Sequence, residues 1–204
     1  MVEHEITLKL VDINKRITDA WSEHLSSMPC VEVICGRFED VEEYDCVVSP
    51  ANSFGLMDGG IDLALSNYFG PNLMGRVQER IIRDFFGEQP VGTCIIVPTG
   101  HRFHPYLAHA PTMRVPKDIR GTENCYLAMA AMLREVAIFN RKDNGVKIST
   151  VLCPGLGTAT GRISGPEAAR QMALAYKHFL SPPACINWDI AAAREMAVRH
   201  ATSN

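Results

Sequence analysis

The chain has 204 residues, with 20 Lys+Arg against 23 Asp+Glu, so its formal net charge is -3. Charged residues make up 21% and apolar residues 47%, as in an ordinary globular domain. This balance argues against a protein that grips a long nucleic-acid polyanion through a clustered basic face. The charge balance is compatible with a small anionic ligand, because helix N-termini and backbone amides bind phosphate without Lys or Arg.

The predicted elements alternate between strand and helix along the chain. Alternating or β-branched runs predict strands, and apolar residues three to four positions apart predict helices. Strands are predicted at 6–13, 31–35, 44–49, 93–97, 106–110 and 148–153, and helices at 16–26, 61–69, 72–86, 123–139, 166–180 and 188–200. This order predicts an α/β fold with a mostly parallel central sheet. No repeat or long linker divides the chain, so we expect one domain over 1–204.

The cysteines and the start of the chain bear on the compartment. The seven cysteines show no CxxC spacing, and several lie in apolar strand-like runs such as VEVIC and STVLC. The first residues, MVEHEITLKLVDIN, contain no basic segment followed by an apolar stretch. We therefore expect a cytoplasmic protein without a signal peptide and without a membrane partner.

Two glycine-bearing loops follow predicted strands directly. The first runs from Ala51 to Asp62 and the second from Pro154 to Gly161. The carboxyl ends of parallel strands meet at one sheet edge, where ligands bind in open α/β sheets. Glycine lets backbone N–H groups approach a phosphate without a Cβ in the way. A single loop of this kind is also typical of a tight turn, but the two together predict a diphosphate site.

Two common nucleotide folds do not fit these loops. The segment GLGTATG at 155–161 has GxGxxxG spacing and is followed by one helix and no further strand, unlike a dinucleotide fingerprint. The chain contains no Gly-Lys-Ser/Thr, which excludes a Walker loop.

The two loops resemble those of the macrodomain family. The run DCVVSPANS at 45–53, then GGID at 59–62 and CPGLGT at 153–158, follow that family's order and spacing. The resemblance covers about 31–180 and leaves out the strand and helix at 6–26 and the tail from 181. It implies a three-layer α/β/α domain that binds ADP-ribose or an ADP-ribosylated substrate, without a cofactor or a metal. It leaves the oligomeric state open.

The resemblance also implies roles for individual residues. Asp40 matches the family's acidic residue that accepts from the adenine amino group, and Asn52 matches the asparagine at the distal ribose. Asp62 matches the aspartate with which MacroD-type hydrolases help water attack that ribose, so Asn52 and Asp62 are the candidate catalytic residues. The other ligand-binding residues that the resemblance implies are Val41, Ala51, Gly59, Gly60, Ile61, Gly155, Leu156, Gly157, Thr158, Ala159, Thr160 and Gly161.

Both loops depart from the hydrolase pattern. Met57 and Asp58 shorten the glycine run, and Thr158 is followed by Ala159 where the family usually has glycine. The resemblance implies an ADP-ribosyl hydrolase or O-acetyl-ADP-ribose deacetylase, and these departures motivate the alternative of a non-catalytic ADP-ribose-binding module. A third alternative is a domain that has kept the fold and binds another nucleotide.

The candidate residues also have simpler interpretations. Asn52 is also typical of a residue whose side chain caps its own turn, and Asp62 is typical of a carboxylate that stabilises the first turn of a helix. Asp40 also suits a solvated member of the acidic stretch at 39–43.

The histidines, the cysteines and Trp188 give no strong indication of a further functional site. Three histidines with Cys94 upstream lack metal-ligand spacing, so no metal site is expected. Cys153 precedes a proline at a strand end, where we expect it to be buried rather than nucleophilic. Trp188 is able to stack on the face of an adenine ring. Aromatic side chains near a chain end more usually pack the terminal helix against the core.

Overall fold

The structure is a computed structural model that describes residues 6–142 and 145–203. Its elements in chain order are β1 (Thr7–Asp12), α1 (Lys15–His24), β2 (Val31–Cys35), a short 3-10 helix (Phe38–Asp40), β3 (Cys46–Ser49), α2 (Gly60–Phe69), α3 (Asn72–Phe85), β4 (Ile95–Pro98), β5 (Tyr106–His109), α4 (Asn124–Arg141), β6 (Thr150–Cys153), α5 (Gly165–Leu180) and α6 (Trp188–Thr202). The predicted elements are confirmed, with ends that differ by a few residues.

The strands form one sheet in the order β2-β1-β6-β3-β5-β4. Every neighbouring pair is parallel except β4 and β5. The α/β fold with a mostly parallel sheet is thereby confirmed. The first strand, which lies outside the resemblance to macrodomains, is an interior strand between β2 and β6. It is therefore part of the sheet that carries the site, rather than an appendage.

Helices cover both faces of the sheet and make three layers. On one face α1, α4 and α5 bury residues such as Trp21, Met132 and Met172 against the sheet. On the other face α2 and α3 bury Leu65 and Val77. This arrangement leaves the carboxyl ends of the five parallel strands open at one edge.

The last helix, α6, lies on α5 and buries Val198 and Ala201 near its C-terminal end. Trp188, at its first position, is 89% exposed. The expectation that Trp188 anchors the helix on the core is therefore wrong, because the buried side chains lie at the other end. Among the described residues, no helix is both long and apolar enough to cross a bilayer.

Candidate functional site

The open edge of the sheet carries an elongated cleft made of two adjoining pockets. The wide pocket, about 360 Å³, is lined by residues that follow β1 and β2, and the narrow pocket, about 150 Å³, by residues that follow β3. Both are also lined by the loop after β6, and they share Gly60, Ile61, Gly155 and Ala159. The two glycine-bearing loops thus face each other across one cleft.

The first loop places the N-terminus of α2 at this cleft. Gly59 is the N-cap and Gly60 has φ +56, a backbone conformation that favours glycine. A Cβ on either residue would meet nothing within 4 Å, so both face open space. The first N–H groups of a helix have no partner within the helix and carry its positive end. This end of α2 therefore offers amide donors to an anion.

The second loop, Pro154 to Gly161, is folded so tightly that glycine is required. A Cβ on Gly161 would lie 2.4 Å from the carbonyl oxygen of Gly157, and one on Gly155 would lie 2.5 Å from Thr158 Oγ1. Bonds from the N–H of Ile163 to Gly157 O and from Arg162 to Ala159 O hold the fold of the loop. Within the described chain, the amides of 156–160 donate to no backbone carbonyl. The backbone of the described residues therefore leaves these amides without an acceptor.

Asn52 lines the narrow pocket, and its side chain makes hydrogen bonds within its own loop. Its Oδ1 accepts from the N–H of Phe54 at 3.1 Å and of Leu56 at 3.3 Å, and its Nδ2 donates to Leu56 O at 2.8 Å. The turn-capping role is therefore present in the structure. Because the amide nitrogen carries two hydrogens, one donor remains beyond the bond to Leu56.

Asp62 lies in the first turn of α2 and also lines the narrow pocket. Its Oδ1 accepts from Ser49 Oγ at 2.6 Å. Burial raises the pKa of the Asp62 carboxyl to about 6, and the hydrogen bond from Ser49 opposes that rise. A carboxyl that titrates near neutral pH is suited to accept a proton during a reaction.

A buried polar pair lies beside Ser49, the residue that donates to Asp62. His109 is the strand partner of Ser49, and its Nδ1 lies 2.7 Å from Gln89 Oε1. Gln89 donates from Nε2 to His109 O and from its backbone N–H to Ser53 O. Since Gln89 Oε1 can only accept, the proton sits on His109 Nδ1. Burial lowers the pKa of His109 to about 3, so this neutral pair ties the strand end to the Asn52 loop.

The wide pocket differs from the sequence-based expectation. Asp40 is exposed and does not line either pocket, and Val41 packs against the core on the α2 face. The 3-10 helix buries Phe38, and its Glu39 lines the wide pocket together with Asp12 at the end of β1. The structure thus does not bring the predicted adenine acceptor, Asp40, to the cleft.

The other predicted site residues reach the cleft with one exception. Leu156 is fully buried beneath the second loop and lines neither pocket. Those that line the cleft are Ala51, Asn52, Gly59, Gly60, Ile61, Asp62, Gly155, Gly157, Thr158, Ala159, Thr160 and Gly161. Sequence reasoning missed Asp12 and Glu39, and the only signal for Asp12 was its place at the end of a strand.

His104, Cys94 and Cys153 are packed inside the protein and line neither pocket of the cleft. His104 stacks on Tyr44 at 3.8 Å between ring centroids, and its Nδ1 lies 3.0 Å from Tyr44 O. Cys94 and Cys153 are buried, and burial raises the pKa of both thiols. In residues 6–142 and 145–203, no three His, Cys, Asp or Glu side chains are grouped as metal ligands would be.

Comparisons with known proteins agree with this architecture. A model of the Macro domain family matches residues 48–172. A protein of Aquifex aeolicus (strain VF5) is 29% identical over 156 residues, which are 76% of this chain and 85% of that relative.

Solved macrodomains have a similar fold. A mutant of the Oceanobacillus iheyensis macrodomain with ADPR matches at a TM-score of 0.59 and 20% identity, over 89% of this chain and 82% of that chain. The macrodomain of Mycobacterium tuberculosis DarG matches at a TM-score of 0.58 and 19% identity, over 70% of this chain and 87% of that chain. At these identities the likeness shows the fold.

Proposed function

The chain belongs to the Macro domain family, and on that premise we propose that its cleft binds ADP-ribose and releases it from ADP-ribosylated substrates. The observation that carries the proposal is the meeting of the two glycine-bearing loops, which share the lining of both pockets. A relative of the same fold has been solved with ADPR.

The diphosphate is expected between the N-terminus of α2 and the amides of 157–160. The residues that carry both groups of donors line the cleft, and the positive end of a helix favours an anion. This mode of binding needs no cluster of Lys or Arg, so it suits a chain whose net charge is -3. The ligand that fits is a compact anion rather than a long polyanion.

The two pockets suit the two ends of ADP-ribose. In the wide pocket, Phe38 offers an apolar wall, and Asp12 and Glu39 offer carboxylates that can accept from the adenine amino group. The distal ribose is then expected in the narrow pocket, beside Asn52 and Asp62. The Nδ2 hydrogen that Asn52 does not donate to Leu56 is available to a ribose hydroxyl.

Asp62 supplies the base of the proposed hydrolysis. The oxygen of a water molecule forms a bond to the distal ribose carbon that carries the modified group. The bond from that carbon to the group breaks, its electron pair leaves with the group, and a water proton passes to the Asp62 carboxylate. With O-acetyl-ADP-ribose the water oxygen bonds instead to the ester carbonyl carbon, again losing a proton to Asp62. The bond from the carbonyl carbon to the ribose oxygen then breaks, and the ribose oxygen takes the proton back from Asp62, which gives acetic acid and ADP-ribose. Since this step needs Asp62 ionised, the rate is expected to rise with pH through about 6 and to level off above it.

Turnover of defined substrates tests the proposal. Wild type, Asp62→Ala and Asn52→Ala would be incubated with a mono-ADP-ribosylated peptide and with O-acetyl-ADP-ribose, and released ADP-ribose would be measured by chromatography. We expect wild type to release ADP-ribose and Asp62→Ala to be slower by at least about 100-fold. No release by wild type, or full activity of Asp62→Ala, would contradict the mechanism.

A second candidate function is a binding module that holds ADP-ribose without turnover. The hydrogen bonds that occupy Asn52 within its loop and Asp62 through Ser49 favour it, because both side chains are held by the protein before any ligand arrives. Saturable binding of ADP-ribose by calorimetry, together with undetectable turnover of both substrates, would select this function.

A further inference from the structure

A separate cavity lies between α4, α5 and α6. Its volume is about 800 Å³, and it shares no lining residue with the cleft. The helix α6 is held at its C-terminal end, where Val198 is buried and Arg170 donates to Ser203 O at 2.7 Å. Toward the N-terminal end of α6 the packing is looser, and Pro182 and Arg194 line the cavity there.

Positive charge is concentrated around this cavity. Arg134 and Arg141 reach it from α4, and Arg194 reaches it from α6. Its lining, as far as the chain is described, contains no Asp or Glu, and none of these three arginines is within 4.0 Å of a carboxylate of the described residues. Arg134 donates one N–H to Gly92 O, which leaves further donors on its guanidinium. In a chain of net negative charge, this cluster indicates an anionic occupant.

The inner wall combines an uncharged polar pair with apolar side chains. Tyr126 Oη lies 3.0 Å from His178 Nδ1. Burial lowers the pKa of His178 and the Arg194 guanidinium lowers it further, which favours the uncharged form of this ring. Ile138 and Phe179 belong to the apolar part of the lining. An apolar lining with a few charged donors is typical of sites for small organic molecules.

We propose that this cavity binds an amphipathic organic anion. Its carboxylate, phosphate or sulfonate group pairs with Arg141 and Arg194, and its apolar body lies along the surfaces of α4 and α5. A small molecule fits better than a protein segment, because three helices bound the space and its volume lies in the range of about 300–1,000 Å³ usual for small ligands. The site is independent of the cleft, so ADP-ribose does not compete for it.

A fluorescent aromatic anion tests the proposal on the full chain. The probe is 8-anilinonaphthalene-1-sulfonate, titrated with and without saturating ADP-ribose, and its uncharged relative N-phenyl-1-naphthylamine is titrated in parallel. The double variant R141Q/R194Q removes two of the positive charges, and Ala130→Trp fills the cavity. Arg199→Gln is the matched control, because Arg199 is an exposed arginine of α6 that pairs with Glu195.

We expect one saturable site for the sulfonate, unchanged by ADP-ribose, with R141Q/R194Q weakening it at least tenfold and R199Q leaving it as in wild type. The uncharged relative is expected to bind at least tenfold more weakly, and Ala130→Trp to remove binding while circular dichroism shows a folded chain. Equal binding by wild type and R141Q/R194Q, equal binding of the two probes, or the lack of a saturable site would overturn the proposal. Competition by ADP-ribose would overturn it too, since the probe would then occupy the cleft.

Discussion

Replacing Asp62 by Asn removes a buried carboxyl whose pKa is about 6 in the folded chain, against an ordinary value of 3.8. The folded state therefore holds this proton more tightly than the unfolded state does. Its contribution to the free energy of unfolding is full below about pH 3.8 and is lost as pH rises through about 6. A gap of about two pH units corresponds to about 3 kcal/mol.

The assay is urea unfolding of wild type and Asp62→Asn at pH 4 and pH 8. Asn cannot ionise but still accepts from Ser49 Oγ, so the shape of the site is kept. Relative to wild type, we expect the free energy of unfolding of the variant to increase by about 2–3 kcal/mol between pH 4 and pH 8. Asp58→Asn, at an exposed carboxylate on the rim of the same pocket, measures the effect of losing one surface charge.

A change of less than about 0.5 kcal/mol between the two pH values would refute this reasoning, since that is within the scatter of surface substitutions. It would mean that Asp62 is not held in a desolvated position and that the narrow pocket lacks its proposed base. The same change in Asp58→Asn as in Asp62→Asn would also contradict it, because the effect would then belong to net charge.

Three further predictions concern the surroundings of this site. Ser49→Ala should raise the pKa of Asp62 further, because it removes the hydrogen bond that opposes the rise, and an NMR titration of the Asp62 side-chain carbon measures it. Gly161→Ala should destabilise the chain by about 1–3 kcal/mol through the contact with Gly157 O, whereas Gly59→Ala, with open space around it, should stay within about 0.5 kcal/mol in thermal unfolding. His109 should destabilise the folded chain as pH falls from about 6.5 toward 3, against the opposite contribution of Asp62, because unfolded His109 takes up a proton that folded His109 refuses until about pH 3. By urea unfolding, His109→Gln should therefore gain free energy of unfolding relative to wild type as pH falls over this range, and an unchanged difference between the two proteins would contradict the burial argument.

The sequence was sufficient to predict the order of strands and helices and the two loops of the cleft. Strong local signals determine these features: β-branched runs before Gly36 and Pro50, and glycine-bearing loops after β3 and β6. They depend on neighbours along the chain, which the sequence displays.

The adenine end of the cleft could not be predicted in the same way. Asp12 lines the wide pocket because β1 lies between β2 and β6, an arrangement that depends on long-range pairing. Asp40 is next in sequence to Glu39, which lines the wide pocket, but the 3-10 helix leaves Asp40 itself exposed. Similarly, the bond from Ser49 to Asp62 joins residues thirteen positions apart. The single domain over 1–204 and the cytoplasmic location stay predictions.

The central claim is that the two loops bind ADP-ribose, and isothermal titration calorimetry of ADP-ribose, AMP and NAD tests it most directly. We predict that one ADP-ribose binds per chain and that AMP, which lacks the second phosphate and the distal ribose, binds more weakly. We also predict weaker binding of NAD, because its nicotinamide extends from the distal ribose into a pocket of about 150 Å³. No heat with ADP-ribose, or AMP binding as tightly as ADP-ribose, would contradict the account.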